Sequence, residues 1–120
     1  MHETLLPHDH GQKIEKLTAA LPSSDDFKAA SELFRLLADT TRIKIFWLLC
    51  HCEECVINIS ALMDMTSPAV SHHLNKLKTA GLITSRRDGK EVYYKAATST
   101  QSNILHDMVE QLVVLNCPDI

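Results

Sequence analysis

Six consecutive residues near the middle of the 120-residue chain carry an unusual density of side chains that can bind metal ions. The stretch reads CHCEEC and places thiols at Cys50, Cys52 and Cys55. Thiolates select soft or borderline ions such as Zn(II), Cd(II), Pb(II), As(III) and Cu(I). Three thiols at this spacing can reach a trigonal ion if the end of the helix that carries them unwinds. We therefore predict an ion site centred on these cysteines, with Cys55 the strongest candidate because of its position and expected exposure.

Two histidines near the N-terminus, His8 and His10, are candidates to complete the coordination of a tetrahedral ion. The alternative interpretation is a solvated tail. Cys50 also has a second interpretation, because it continues an apolar stripe and could be a small buried hydrophobic residue.

Length and composition indicate one globular domain. Apolar residues make up 45% and charged residues 22% of the sequence. No apolar run approaches the ~20 residues that span a bilayer, and the start lacks the pattern of a secretory signal. We therefore predict a cytoplasmic protein without a membrane partner. There cysteines stay reduced, and a cluster favours metal binding or redox sensing over a structural disulfide.

Patterns typical of enzymes are missing from the sequence. It contains no Ser-His-Asp order, glycine-rich phosphate loop or pair of carboxylates in an apolar surrounding. We expect neither catalysis nor a small-molecule substrate.

Positive charge is concentrated in residues 67–95, which hold six lysines and arginines against two acidic residues, although the whole chain has a net charge of −3. A basic segment on an acidic body is typical of a small DNA-binding domain with a separate dimer or regulatory surface. A solvated basic face is the alternative interpretation.

Residues 1–22 are predicted to form an N-terminal arm with a possible short helix, and residues 23–120 a DNA-binding and dimerisation domain. Ser24 or Asp25 can cap the first helix of that domain. The next predicted helix is buried, with Ile43, Trp47 and Cys50 on one stripe. A final helix with a broad apolar face covers roughly residues 99–114.

The segment TSPAVSHHLNKLKTAGLI predicts a well-capped helix, with Ser67 as the N-cap, Pro68 in its first turn and Gly81 just past its end. Val70, Leu74 and Leu77 would hold one side on the core. The residues after Gly81 alternate around Asp-Gly, which indicates a β-hairpin. Short helix, turn, capped helix and basic hairpin together predict a winged helix-turn-helix in a mainly α fold.

The capped helix would enter the major groove of DNA, since its exposed N-terminal residues are small or polar. Cations at the hairpin can reach phosphates and the minor groove. The predicted DNA-binding residues are Ser67, Ala69, Ser71, His72, Lys76, Arg86, Arg87 and Lys90.

Three segments together resemble the ArsR/SmtB family of bacterial metal-sensing repressors, namely LLADTTRIKIFWLL, ECVINISALMDMTSPAVSHHLNKLKTAGLI and RRDGKEVYYKA. The resemblance covers about residues 30–97. It implies a homodimer that binds double-stranded operator DNA when metal-free and releases it when an ion binds, with Cd, Pb, Zn or As(III) as effector. Family members form the dimer with their first and last helices, which fits the apolar faces predicted in residues 24–37 and 99–114.

The sequence departs from the metal motif of this family, which is usually written E-L-C-V-C-D-L. Cys55 matches the first cysteine of the motif, but Ile57 and Asn58 stand where the second cysteine and the aspartate belong. Some members bind arsenite through C-x-C-x2-C, the spacing of the three cysteines here, displaced by several residues.

A second family site lies on the last helix, and its ligand positions correspond here to Thr98, Thr100, Gln111 and Val114. None of these offers the required ligand, so we predict that this zinc site is absent. His106 is expected to be a histidine on the helix surface.

Other relatives sense sulfide or oxidants through one cysteine on the second helix and one on the last. Cys50 and Cys117 lie about one helical turn beyond those positions. A redox- or persulfide-responsive repressor that uses this dithiol is therefore the alternative function, provided that the geometry allows a bridge.

Overall fold

The computed structural model describes residues 6–113, which form six helices and three strands. In chain order they are α1 Ile14–Ala20, α2 Ser24–Leu37, α3 Thr40–His51, β1 Glu54–Cys55, α4 Val56–Met63, α5 Ser67–Thr79, β2 Ile83–Asp88, β3 Glu91–Ala96 and α6 Thr100–Val113. The longest helices have 14 residues. Within residues 6–113 no helix combines the length and apolarity that a membrane crossing requires.

The chain divides into two compact units, and the boundary between Glu32 and Leu33 falls inside α2. In the first unit the start of α2 is capped reciprocally: the Asp26 backbone N–H donates to the Ser23 hydroxyl, and the Ser23 N–H donates to the Asp26 carboxylate, both at 3.2 Å. Ser23 is therefore the cap, and the prediction of Ser24 or Asp25 was wrong by one or two residues.

The second unit has one hydrophobic core, to which every helix from α3 to α6 contributes. Its fully buried side chains include Phe46, Ile45, Leu49, Ile59, Val70, Leu74, Leu77, Leu82 and Ile83. The predicted apolar face of α5 is confirmed, since Val70, Leu74 and Leu77 all lie in this core.

The stripe predicted on α3 is not the most buried side of the helix. Ile45 and Phe46 are completely buried, whereas Ile43, Trp47 and Cys50 are only partly buried. The helix is apolar on nearly every side, so spacing alone does not identify the side that meets the core.

Helices α4 and α5 are joined by a tight turn. Asp64 ends α4 in the left-handed conformation at φ 53°, and the Met65 N–H donates to the Ser60 carbonyl at 3.0 Å. The Thr66 hydroxyl then accepts from the Ala69 N–H at 3.3 Å and caps α5. The predicted cap, Ser67, is instead the first residue of the helix.

The three strands form an antiparallel sheet in the order β1-β3-β2. In the predicted hairpin Asp88 pairs with Glu91, which leaves Gly89 and Lys90 as the turn, with Gly89 at φ 62°. The short β1, which was not predicted, adds Glu54 and Cys55 to the other edge of β3. With this wing following α4 and α5, the predicted winged helix-turn-helix is confirmed.

Candidate functional site

Cys52 ends α3 and is half-buried. Its Sγ donates a hydrogen bond to the Leu48 carbonyl at 3.3 Å. Burial, and to a lesser degree the negative charge of Glu54, raise the pKa of the Cys52 thiol above its ordinary value. An ion that takes this sulfur as a ligand must therefore displace a proton, and its affinity rises with pH.

The other two cysteines differ in their surroundings. Cys50 lies in the last turn of α3, half-buried and packed against the hydrophobic core. Cys55 lies in β1 opposite Tyr93 and is only 8% exposed. The expectation that Cys55 is exposed was therefore wrong, because the pairing of β1 with β3 draws this residue into the core.

Cys50 and Cys52 line the same cavity, whose volume is about 280 Å³. Its polar lining also includes Glu53, Lys95 and His106, whereas Cys55 is not part of the lining. The structure thus brings two of the three predicted thiols to one space and leaves the third in the neighbouring strand.

The Glu54 carboxylate supplies a reason for a cation near these thiols. Its Oε2 atom is buried and has no hydrogen-bond partner among the residues described. An unsatisfied buried carboxylate oxygen costs free energy, which a cation at this position would offset. The donor set of thiols and a carboxylate fits a borderline or soft divalent ion.

His8 and His10 belong to the first unit, where both are exposed and their rings stack with centroids 6.0 Å apart. Their predicted role as ligands stays a prediction. Cys117, the predicted redox partner, lies outside the described residues.

A cluster that the sequence analysis missed lies between the end of α3 and α6. His51 Nε2 is 3.4 Å and His106 Nε2 is 3.3 Å from Glu110 Oε1. The same oxygen accepts a 2.6 Å hydrogen bond from the indole N–H of Trp47. His106 is therefore a half-buried member of a polar cluster, and the expectation of a surface histidine was wrong. The only sequence signal was the i, i+4 spacing of His106 and Glu110.

The predicted DNA-binding residues of α5 lie on its outer side. Ser67, His72 and Lys76 are exposed, while Ala69 and Ser71 are partly buried. The Ser67 hydroxyl is 3.2 Å from that of Ser60.

The neighbouring His73 is half-buried. Its Nδ1 accepts a hydrogen bond from Arg42 Nε at 3.2 Å. Burial lowers the pKa of His73 below its ordinary value, and this effect outweighs the opposing influence of Asp39. His73 therefore acts as a neutral acceptor that holds α5 against α3.

The cations of the wing are not equivalent. Arg87 and Lys90 are exposed. Arg86 is exposed as well, but it also donates to Glu53 Oε1 from Nε at 2.9 Å and from Nη2 at 2.6 Å. Its guanidinium also lies over the Tyr93 ring, 4.9 Å from the centroid. Arg86 thus connects the wing to the cysteine-rich segment.

Comparison with known sequences places these features in a family. A family model described as "Bacterial regulatory protein, arsR family" matches residues 39–85. A cadmium resistance transcriptional regulatory protein, CadC, from Listeria innocua is 38% identical over 86 residues, 71% of this chain and 71% of the relative. A transcriptional repressor SmtB homolog from Synechocystis is 30% identical over 106 residues, 88% of this chain and 80% of the relative.

Solved structures share the fold. One is the solution structure of a homodimeric winged helix-turn-helix DNA-binding domain from Mycobacterium bovis, with a TM-score of 0.67, 26% identity and coverage of 79% of this chain and 90% of that one. Another is reduced HlyU from Vibrio cholerae, with a TM-score of 0.63, 28% identity and coverage of 89% and 99%. The winged helix-turn-helix fold and the sequence similarity together show that the chain belongs to the arsR family of bacterial regulatory proteins.

Proposed function

We propose that this protein is a metal-responsive transcriptional repressor, which binds operator DNA as a metal-free homodimer and leaves it when a thiophilic ion binds at the cysteine cluster. One observation carries the proposal: the segment that follows Cys52 is joined to the wing by strand pairing and by an ion pair. Glu54 and Cys55 pair with β3, and Glu53 holds Arg86 of β2. A change at the thiols is therefore transmitted directly to a DNA-binding element.

The DNA-binding face consists of the exposed start of α5 and the wing. Ser71 and His72 are placed to approach base edges, and Arg87 and Lys90 to contact phosphates. The full set comprises Ser67, Ala69, Ser71, His72, Lys76, Arg86, Arg87 and Lys90.

Homodimer formation is supported by large apolar side chains that the single chain leaves exposed on α2 and α6. Phe34 is 62% exposed, Ile104 60% and Leu112 74%. Large exposed apolar side chains are typical of protein interfaces when they cluster. The homodimeric relative from Mycobacterium bovis supports the same assembly.

The proposed ligands are Cys50, Cys52 and Cys55, with His8 and His10 as additional donors to a tetrahedral ion. Cys50 and Cys52 line one cavity, while Cys55 lies in β1. To bring all three thiols to one ion, the end of α3 or β1 must move. Because β1 is hydrogen-bonded to the wing, this movement would disfavour the DNA-bound form, with a coupling free energy of about 1–3 kcal/mol.

The class of ion follows from the thiols, which suit Cd(II), Pb(II), Zn(II) or As(III). The cadmium-resistance relative from Listeria innocua supports a metal as the effector.

The test combines thiolate absorption with DNA release. Cd(II) or Pb(II) should produce a thiolate charge-transfer band in the near ultraviolet and release the protein from an operator duplex. Cys52→Ser and Cys55→Ser should lose both effects, because a hydroxyl stays protonated at neutral pH and is a poor ligand for soft ions. Cys117→Ser is the matched control and should respond as the wild type does.

The dithiol alternative gives a different pattern. An oxidant or persulfide would release DNA, Cys50→Ser and Cys117→Ser would block that release, and Cys55→Ser would have no effect. A Cys55→Ser protein that responds normally to every thiophilic ion contradicts the three-cysteine site.

A further inference from the structure

Two imidazoles and one carboxylate converge at the junction of α3 and α6. One ligand atom from each of His51, His106 and Glu110 can be chosen so that all three atoms lie within 4.8 Å of one another. The side chains are 8%, 25% and 12% exposed, respectively. Such a buried group of titratable side chains is unusual unless it has a structural or binding role.

Two of the three distances between the candidate ligand atoms match those found around a tetrahedral ion. Hydrogen bonds between nitrogen and oxygen are usually about 2.7–3.2 Å long. The two imidazole contacts to Glu110 Oε1 exceed this range, at 3.4 and 3.3 Å. A tetrahedral Zn(II) ion with ligands about 2.0–2.1 Å away has its ligand atoms about 3.3–3.4 Å apart.

The short 2.6 Å bond from Trp47 to the same carboxylate is compatible with this interpretation. Side chains that bind a metal ion usually also take part in hydrogen bonds with neighbouring residues, and these bonds orient the ligand. Trp47 is therefore a positioning residue, and its ring also lies 4.4 Å from the His51 ring, centroid to centroid.

We propose that His51, His106 and Glu110 form a second metal site, which takes a borderline divalent ion such as Zn(II) or Co(II). Imidazole and carboxylate suit these ions, whereas Pb(II) and As(III) prefer thiolates. Three protein ligands leave one position of a tetrahedral ion for water. None of its three ligands is a thiol, although His51 lies between Cys50 and Cys52 in the chain and His106 lines the cavity that these two cysteines share.

The bound ion would join the end of α3 to the middle of α6. Helix α6 carries part of the exposed apolar surface proposed for the dimer. The ion would therefore restrain that surface relative to α3. The site would accept Zn(II) or Co(II) without a thiolate ligand, whereas Pb(II) and As(III) would bind only at the thiols.

Trp47 offers a local readout, since the chain contains a single tryptophan. Zn(II) titrated into the full-length protein should change the Trp47 emission as Glu110 Oε1 is drawn to the ion. Glu110→Gln and His106→Gln should lose this change and bind Zn(II) at this site more than about 100-fold more weakly, because loss of a residue that only orients a ligand already costs roughly 10–100-fold. Asp107→Asn is the control, because it changes an exposed carboxylate next to His106 on the same helix. This variant should behave as the wild type.

Co(II) spectra separate this site from the cysteine cluster. The Cys52→Ser, Cys55→Ser protein should show visible Co(II) bands that lack thiolate charge transfer, and these bands should disappear when Glu110→Gln is added to it. Circular dichroism checks that each variant is folded, and His106→Gln replaces Glu110→Gln if the latter is not. If both variants keep the Zn(II) affinity and the Trp47 response, the proposal is wrong. Loss of DNA release in the cysteine variants alone would bear only on the proposed function.

Discussion

Glu53 Oε1 accepts two hydrogen bonds from Arg86, at 2.9 Å from Nε and 2.6 Å from Nη2. Glu53 lies between Cys52 and Glu54, and Arg86 lies in the first strand of the wing. The hydrogen bonds from Arg86 lower the pKa of Glu53, and those to Glu53 raise the pKa of Arg86. The carboxylate is thus ionised at neutral pH and engages a cation that would otherwise be available to DNA phosphates.

Replacing Glu53 should therefore weaken the coupling between ion binding at the thiols and DNA binding by the wing. Glu53→Gln should bind operator DNA several-fold more tightly, since Arg86 becomes available, and should show weaker ion-induced release. Its stability should change little, as is usual for exposed ion pairs. Fluorescence anisotropy with and without Cd(II) measures both effects. Glu91→Gln removes the same charge from the wing, and equal behaviour of the two variants would contradict the proposed coupling.

The exposed wing cations should contribute a sequence-independent part of DNA affinity. Arg87→Ala and Lys90→Ala should each weaken binding to all duplexes and reduce the slope of log K against log salt concentration by about 0.9. Arg86→Ala should have a smaller effect because Glu53 already neutralises this side chain. Lys16→Ala, on α1, is the matched charge control. If this variant reduces the salt slope as much as the wing variants do, the slope does not report a specific contact between the wing and DNA.

The start of α5 should determine sequence preference. Ser71→Ala and His72→Ala should alter the ranking of operator variants by about 1–3 kcal/mol at the contacted base pair, with little change in the salt slope. A panel of single-base substitutions in the operator, measured at constant salt, provides the readout. A uniform loss of affinity across the panel would indicate that these residues contact only phosphates.

His73 should make the folded state less stable in mild acid. Burial lowers the pKa of His73 in the folded state, and the positive charges of Arg42, His72 and Lys76 lower it further. The negative charge of Asp39 acts in the opposite direction. The unfolded chain therefore binds the additional proton first as the pH falls through about 6.5. Stability should be fully present above that pH and decrease between it and the lower folded pKa. The lowered pKa of Asp39 has a separate window, below its ordinary 3.8.

Urea unfolding at several pH values between 7 and 5 tests this expectation. His73→Gln should show a shallower loss of unfolding free energy across the interval than the wild type. His10→Gln removes an exposed imidazole and should retain the wild-type slope. Equal slopes in the wild type and in His73→Gln would show that the imidazole titrates alike in both states.

Local patterns were sufficient to predict most of the fold. The i, i+4, i+7 spacing of Val70, Leu74 and Leu77 identified the buried side of α5, and the Asp-Gly pair located the hairpin. These signals succeed because each depends on residues that are neighbours in the chain. The same approach failed for α3, where apolar residues on nearly every side leave no periodic contrast.

The candidate sites depended on contacts between distant parts of the chain. Cys55 appeared exposed in the sequence because β1 has only two residues, and only its pairing with Tyr93 explains its burial. His51 and Glu110 are 59 residues apart in sequence, so that no spacing rule joins them. The thiols were visible as a motif, whereas their division between a cavity and a strand required the structure.

The apolar surface of α2 and α6 should control assembly. Phe34→Asp and Leu112→Asp place a charge on side chains that are 62% and 74% exposed in the single chain. If these residues lie at the centre of the dimer interface, each substitution should weaken the dimer by at least about 2 kcal/mol, or roughly 30-fold. Leu62→Asp changes a residue of similar exposure, 61%, on α4 and should leave the dimer intact. Sedimentation equilibrium at micromolar concentration should therefore give twice the monomer mass for the wild type and for Leu62→Asp, and monomers for the other two. A wild-type protein that sediments as a monomer would remove the basis for binding two operator half-sites at once.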